Sequence, residues 1–149
     1  DQRLQRPYLN KKFFDLIHDS KNILNPIIIF AHLNNEVIAG SLCYRDKNNL
    51  YGRHWGTKYD IDSLHFECCY YQGIDYCIKN NLKEFDPGVQ GEHKIRRGFE
   101  PRSTFSYHYI LQNDFKDAIL DFCNREKIEN KNYLEACKRY TPFNNEYKI

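Results

Sequence analysis

PIIIFAHLNNEVIAGSLCYR, residues 26–45, reads as a β-hairpin before any other part of the chain is considered. Pro26 to Leu33 is an apolar run of strand length, and Glu36 to Arg45 is a second run rich in β-formers. Between them stands Asn34-Asn35 alone, a pair that tolerates the positive φ a two-residue turn demands. Asp46 to Asn49 then reads as a second turn, and Leu50 to Trp55 as a third strand. Upstream, Phe13, Phe14 and Ile17, with Tyr8, recur at helical spacing, which predicts an amphipathic helix over 8–20 that Asn25-Pro26 ends.

Past the third strand the period changes. Phe66, Tyr70, Ile74, Cys77 and Ile78 predict a helix over 63–80, with Asp62 or Ser63 as its N-cap. Leu82 to Phe85 is a short strand that enters Asp86-Pro-Gly88, and a loop to Gly91 opens a short helix, Glu92 to Arg97, stopped by Gly98. Phe105, Tyr107, Tyr109 and Leu111 alternate as in a half-buried strand over 104–111. Phe115, Ala118, Ile119, Phe122 and Cys123 mark a helix, and Tyr133 to Tyr140 a further one. A three-strand meander followed by a strand–helix–strand crossover predicts an α/β domain of the mixed α+β kind. Its sheet is mixed and mostly antiparallel, with helices on both faces. That is the plan of the acyl-CoA N-acyltransferase (GNAT) fold.

The 149 residues suit a single domain, 1–149. Aromatic residues make up 15% of them, which opposes disorder. A charge of +2 is too balanced for long-range attraction to nucleic acid and leaves only a local basic patch open. No apolar run approaches the ~20 residues of a membrane span, and no secretory signal is visible, so a cytoplasmic location is expected. Six cysteines stand at 43, 68, 69, 77, 123 and 137. Cys68 and Cys69 adjoin, and Cys77, Cys123 and Cys137 fall on apolar helix faces, a placement that predicts reduced core thiols. Methionine is absent, position 1 included, from which a trimmed or partial chain is expected.

Three segments carry a resemblance: LYGRHWG (50–56), LHFECCYYQGIDY (64–76) and FDPGVQGEHKIRRGFEP (85–101). Together, over about residues 26–125, they resemble a bacterial family of FemAB-like predicted N-acyltransferases labelled peptidoglycan biosynthesis or recognition proteins. The resemblance implies that this chain is the C-terminal, GNAT-like half of a longer two-domain protein, whose N-terminal domain would be its partner. It also implies transfer of an acyl or aminoacyl group to an amine, either a small molecule or a peptidoglycan precursor. The donor would be acyl-CoA or aminoacyl-tRNA, so tRNA is a further possible partner. Acetyl-CoA-dependent enzymes of this fold carry a Gly-rich pyrophosphate loop ahead of the main helix. GTKYDIDS, 56–63, has a single glycine there, and Lys94 stands where a general-acid tyrosine is often found. The first feature opposes CoA binding in the usual manner, and the second fits the aminoacyl-tRNA-using FemAB relatives better.

N-acyl transfer needs a base for the amine, a held carbonyl and donors for the developing oxyanion. His93, Glu92 and Asp86 are the proton-handling candidates. Gly88, Gln90 and Gly91, with the cations Lys94 and Arg97, read as an anion- or donor-binding loop. In a flat strand Tyr51, Arg53 and Trp55 share one face, and Tyr51 and Trp55, with His65 and Glu67 from the next helix, are candidates for an acceptor pocket. Each has a plain alternative: strand aromatics are usually core, Asp-Pro-Gly usually orders a turn, and Glu92 can simply favour a helix start. His65, Cys68 and Cys69 share a helical face, but without a Cys-x-x-Cys pair no metal is expected. Two other functional classes fit the same residues. One is a non-catalytic recognition module, and the other is a half that chiefly supports its partner domain.

Overall fold

The computed structural model describes residues 9–89 and 91–143, so Tyr8 and Gln90 lie outside the described residues. The chain divides into two compact units, Asp1–Val89 and Gln90–Ile149.

The first unit opens with α1 (Lys11–Asp19) and the short α2 (Lys21–Leu24). Asn10 caps α1 by accepting a hydrogen bond from the Phe13 amide at 3.1 Å. Asn25, with φ 43, turns the chain into β1 (Pro26–Leu33). The hairpin forms as its sequence implies. β1 and β2 (Glu36–Arg45) pair antiparallel, and Asn34 and Asn35 hold φ of 50 and 65. β3 (Asn49–Thr57) pairs antiparallel with β2, and β4 (Glu84–Asp86) lies parallel to β3. The result is a four-stranded mixed sheet in the order β1-β2-β3-β4.

Parallel neighbours require a crossover, supplied here by α3 (Leu64–Phe66), a π-helical segment Glu67–Tyr71 and α4 (Gln72–Lys79). The core lies under α4. Cys43 and Leu50 are fully buried against Cys77, with Ile27, Tyr76, Leu82 and Phe85 packed around them. On the opposite face Phe13 of α1 meets the ring of His54 edge-on at 5.9 Å.

Two insertions shift side chains from their sequence-predicted faces. Leu42 pairs with His54 while Cys43 pairs with Gly52, which leaves Arg53 as an extra residue, a β-bulge. The bulge reverses the alternation, so Tyr51 and Trp55 do not share a face as a flat strand would have them. The π segment re-phases the crossover helix in the same way. Tyr70, Gly73 and Cys77 are buried, and Ile78, expected in the core, is 71% exposed. Ser63 precedes α3 at φ 61 and makes no side-chain cap, contrary to the capping expected of it.

In the second unit Glu92–Arg97 forms a 3-10 helix that ends at Gly98, φ 90. The strand expected over 104–111 is absent, and residues 99–112 are irregular. Alternation marks a strand only where another edge accepts its backbone hydrogen bonds. No described strand pairs with this one, and Tyr107 is 97% exposed. The two helices expected after it are one, α5 (Asn113–Cys137), because the intervening NREKIENKN (124–132) holds neither Gly nor Pro to stop it. All six cysteines are free thiols. Cys43, Cys68, Cys77 and Cys137 are buried, but Cys123 is exposed, which corrects its core assignment. Among the described residues no helix is long and apolar enough to cross a membrane.

Gly73 lets α4 approach β4, since a Cβ there would stand 2.4 Å from Phe85 Cε1. Gly73→Ala is expected to lower unfolding free energy by about 1–3 kcal/mol. Gly56→Ala, with nothing within 4 Å, should stay within about 0.5 kcal/mol. Denaturant melts of both variants check this, and equal losses would refute the packing account. Asp46 provides a second test. It accepts from the amides of Asn48 and Asn49, from Asn49 Nδ2 and from the Tyr51 hydroxyl, which holds its pKa down to about 2. The folded pKa lies below the ordinary 3.8, so the stability Asp46 contributes is complete above that value and is lost as pH falls through about 2. Carboxyl NMR should place its midpoint there, and Asp46→Asn should flatten this acid window.

Candidate functional site

The residues singled out from the sequence fall on both units, and each group has its own geometry. In the first unit, β3 brings Trp55 against His65, ring centroids 5.4 Å apart and nearly edge-on. His65 also meets Phe66 at 5.5 Å and the buried Tyr70 at 5.4 Å, and Phe66 stacks on Tyr70. This aromatic cluster forms because the Arg53 bulge swings Trp55 toward the crossover helix. Phe66 and Tyr70 are members that helical spacing assigned only to core.

The other nominated residues of this unit serve local structure. Tyr51 donates its hydroxyl to Asp46 Oδ2 at 2.8 Å, a bond that raises the phenol pKa and draws the side chain into the β2–β3 turn. Glu67 is exposed and accepts from Gln72 Nε2 at 2.7 Å. Asp86, the last residue of β4, accepts from the Gly88 amide at 2.8 Å across an Asx turn. Gly88, at φ 83, bends the chain close to the Gly52 carbonyl, 3.4 Å from where its Cβ would be.

From the end of β3 into the crossover helix, local acceptors take several backbone amides. Lys58 donates to Ile38 O, Tyr59 to Thr57 Oγ1, Leu64 to Ile61 O and Glu67 to Ser63 O.

In the second unit Glu92, His93, Lys94 and Arg97 share one short 3-10 helix. Gly91, φ 101, is followed at once by the 3-10 turn, and the His93 ring lies where its Cβ would be, 2.4 Å from Cε1. Only glycine suits both the backbone and the ring. Arg97 Nη1 donates to His93 O at 2.8 Å, so the guanidinium folds back over the turn. Burial depresses the His93 pKa, and the charges of Arg97 and Lys94 add to the effect, so the imidazole is neutral at pH 7. Lys94 is itself buried and Arg97 partly so. Glu92 is exposed and close enough to Tyr133 of α5 to raise that phenol's pKa, after the larger effects of its Cys137 hydrogen bond, burial and the Cys137 charge.

The structure thus joins Trp55 with His65, Asp86 with Gly88, and Gly91 with His93 and Arg97. It separates Tyr51 from Trp55. Buried thiols are poor nucleophiles here, since desolvation raises the pKa of Cys43, Cys68 and Cys77. Among the described residues no group of three His, Cys, Asp or Glu side chains is placed to hold a metal ion. A cavity of about 870 Å³ opens beside α1, lined in part by Phe14, Ile17, Lys21, Ile28, Leu42 and Arg45 and by none of the nominated residues. Sequence reading passed over it because its walls come from segments that are distant along the chain.

No curated protein and no solved structure matches the chain significantly. A family match does exist, and it covers residues 1–145, nearly the whole sequence. The chain belongs to the FemAB-like family, described as peptidoglycan biosynthesis/recognition.

Proposed function

We propose that this chain takes part in N-acyl transfer onto the amine of a peptidoglycan precursor, with His93 as the general base. The observation that carries the reading is the seat of His93 on Gly91. It holds a neutral imidazole beside two cations within one turn. An ammonium nucleophile must lose a proton before it attacks, and a base that is neutral at pH 7 can take it. Lys94 and Arg97 then offer positive charge to a carboxylate, a phosphate or the oxyanion that develops at the acyl carbon. Asp86 and Glu92 are the secondary candidates for proton handling, although Asp86 already accepts the Gly88 amide.

Trp55 and His65 supply an aromatic surface suited to the acceptor. An aminoacyl ester, as on tRNA, is the favoured donor over acyl-CoA, because the stretch 56–63 ahead of α3 holds a single glycine. A second reading is favoured by α5, whose Phe115, Phe122 and Ile128 are each more than half exposed. Apolar exposure of that kind suits a half that supports a partner domain.

Labelled acyl transfer to precursor amines, measured with the whole chain, tests the proposal. His93→Gln is expected to lower kcat about 10²–10⁴-fold. Because the folded pKa lies below 6.5, the acid limb of the wild-type rate profile should fall below that value. Gly91→Ala should displace the ring and move the limb. Wild-type turnover by His93→Gln would remove His93 from the chemistry. Precursor binding without transfer under any donor would favour recognition instead.

A further inference from the structure

We propose that the cavity beside α1 is a binding site for a single amphipathic anion, an alkyl chain that ends in a phosphate. One part of its wall is apolar. Phe14 and Ile17 come from α1, and Ile28 and Leu42, paired across β1 and β2, come from the sheet. The rest is cationic, with Lys21 at the start of α2 and Arg45 and Lys47 where β2 turns toward β3. At about 870 Å³ the cavity falls within the ~300–1,000 Å³ usual for small-molecule sites.

Charge complementarity selects the head group. Arg45 is held in place by neutral partners. Its Nη1 donates to the Tyr76 hydroxyl at 3.0 Å and to Asn80 Oδ1 at 3.2 Å, and the Tyr76 ring lies 5.8 Å from its Cζ. The guanidinium is therefore oriented by uncharged groups. Lys21 and Lys47 form no ion pair among the described residues. Asp46 is the one carboxylate in the lining, and its two oxygens already accept four hydrogen bonds within its own turn. His18 also lines the wall. Three cations thus face the space, against one acid that is engaged elsewhere.

Neither half of the ligand suffices alone. A bare phosphate would leave the Phe14, Ile17, Ile28 and Leu42 surface wet, and a bare alkyl chain would desolvate cations without compensation. The site shares no residue with the His93 turn.

Calorimetric titration of the whole chain with octyl phosphate below its micelle concentration tests this, with inorganic phosphate and 1-octanol as controls. Octyl phosphate should bind at least about tenfold more tightly than either control. The double variant Lys21→Gln, Lys47→Gln should lose about fivefold to tenfold in affinity. Ile28→Asp, at a half-exposed position of the edge strand, should lose as much while its melting curve shows a folded protein. Octanol or inorganic phosphate binding as tightly as octyl phosphate would overturn the proposal, as would unchanged affinity in the lysine variant. Binding only to anionic vesicles, with none to dispersed octyl phosphate, would make this a membrane-facing patch and overturn it as well.

Discussion

One extra residue in β3 governs what the first unit can present. Because Arg53 has no partner on β2, Leu50 and Trp55 reach the same side of the sheet although an odd number of positions separates them. Leu50 thereby enters the core under α4, and Trp55 reaches the His65 ring. His54 goes to the opposite side and contacts α1 through Phe13. A flat strand could satisfy two of these three contacts at most. Bulges commonly re-aim a side chain while the ladder continues on either side, and here the ladder resumes through Trp55, Gly56 and Thr57.

The crossover helix answers this with its own insertion. A π turn over Glu67–Tyr71 sends Tyr70 inward to meet His65 and still leaves Gly73 and Cys77 over the sheet. Gly73 is needed because the Phe85 ring occupies the volume of any Cβ at that position. The parallel strand β4 is thus seated by a ring pressed on helix backbone, and its last residue, Asp86, fixes the Asx turn that leads to Gly88.

The His93 turn shows how little structure is needed to depress an imidazole pKa. A glycine without a Cβ makes room for the ring, burial removes part of its hydration, and two cations in the same turn disfavour its protonated form. The thiols show the opposite use of burial. Cys43, Cys68 and Cys77 are held protonated and act as small apolar side chains. Family membership ties the chain to peptidoglycan biosynthesis or recognition.

Local chemistry was legible in the residues. The bounds of β1 and β2, the positive-φ Asn34-Asn35 turn and the stop at Gly98 all follow from steric rules that act over a few residues. What eluded the sequence depends on partners far away in the chain. Alternation over 104–111 could not say whether an edge would accept it, and helical period could not reveal the π turn that exposed Ile78. Nor could residue order show that Lys21, Arg45 and Lys47 line one cavity. Backbone preference is a property of neighbours, whereas bulge, register and cavity are set by which surfaces are buried together, and that is settled only when the chain packs.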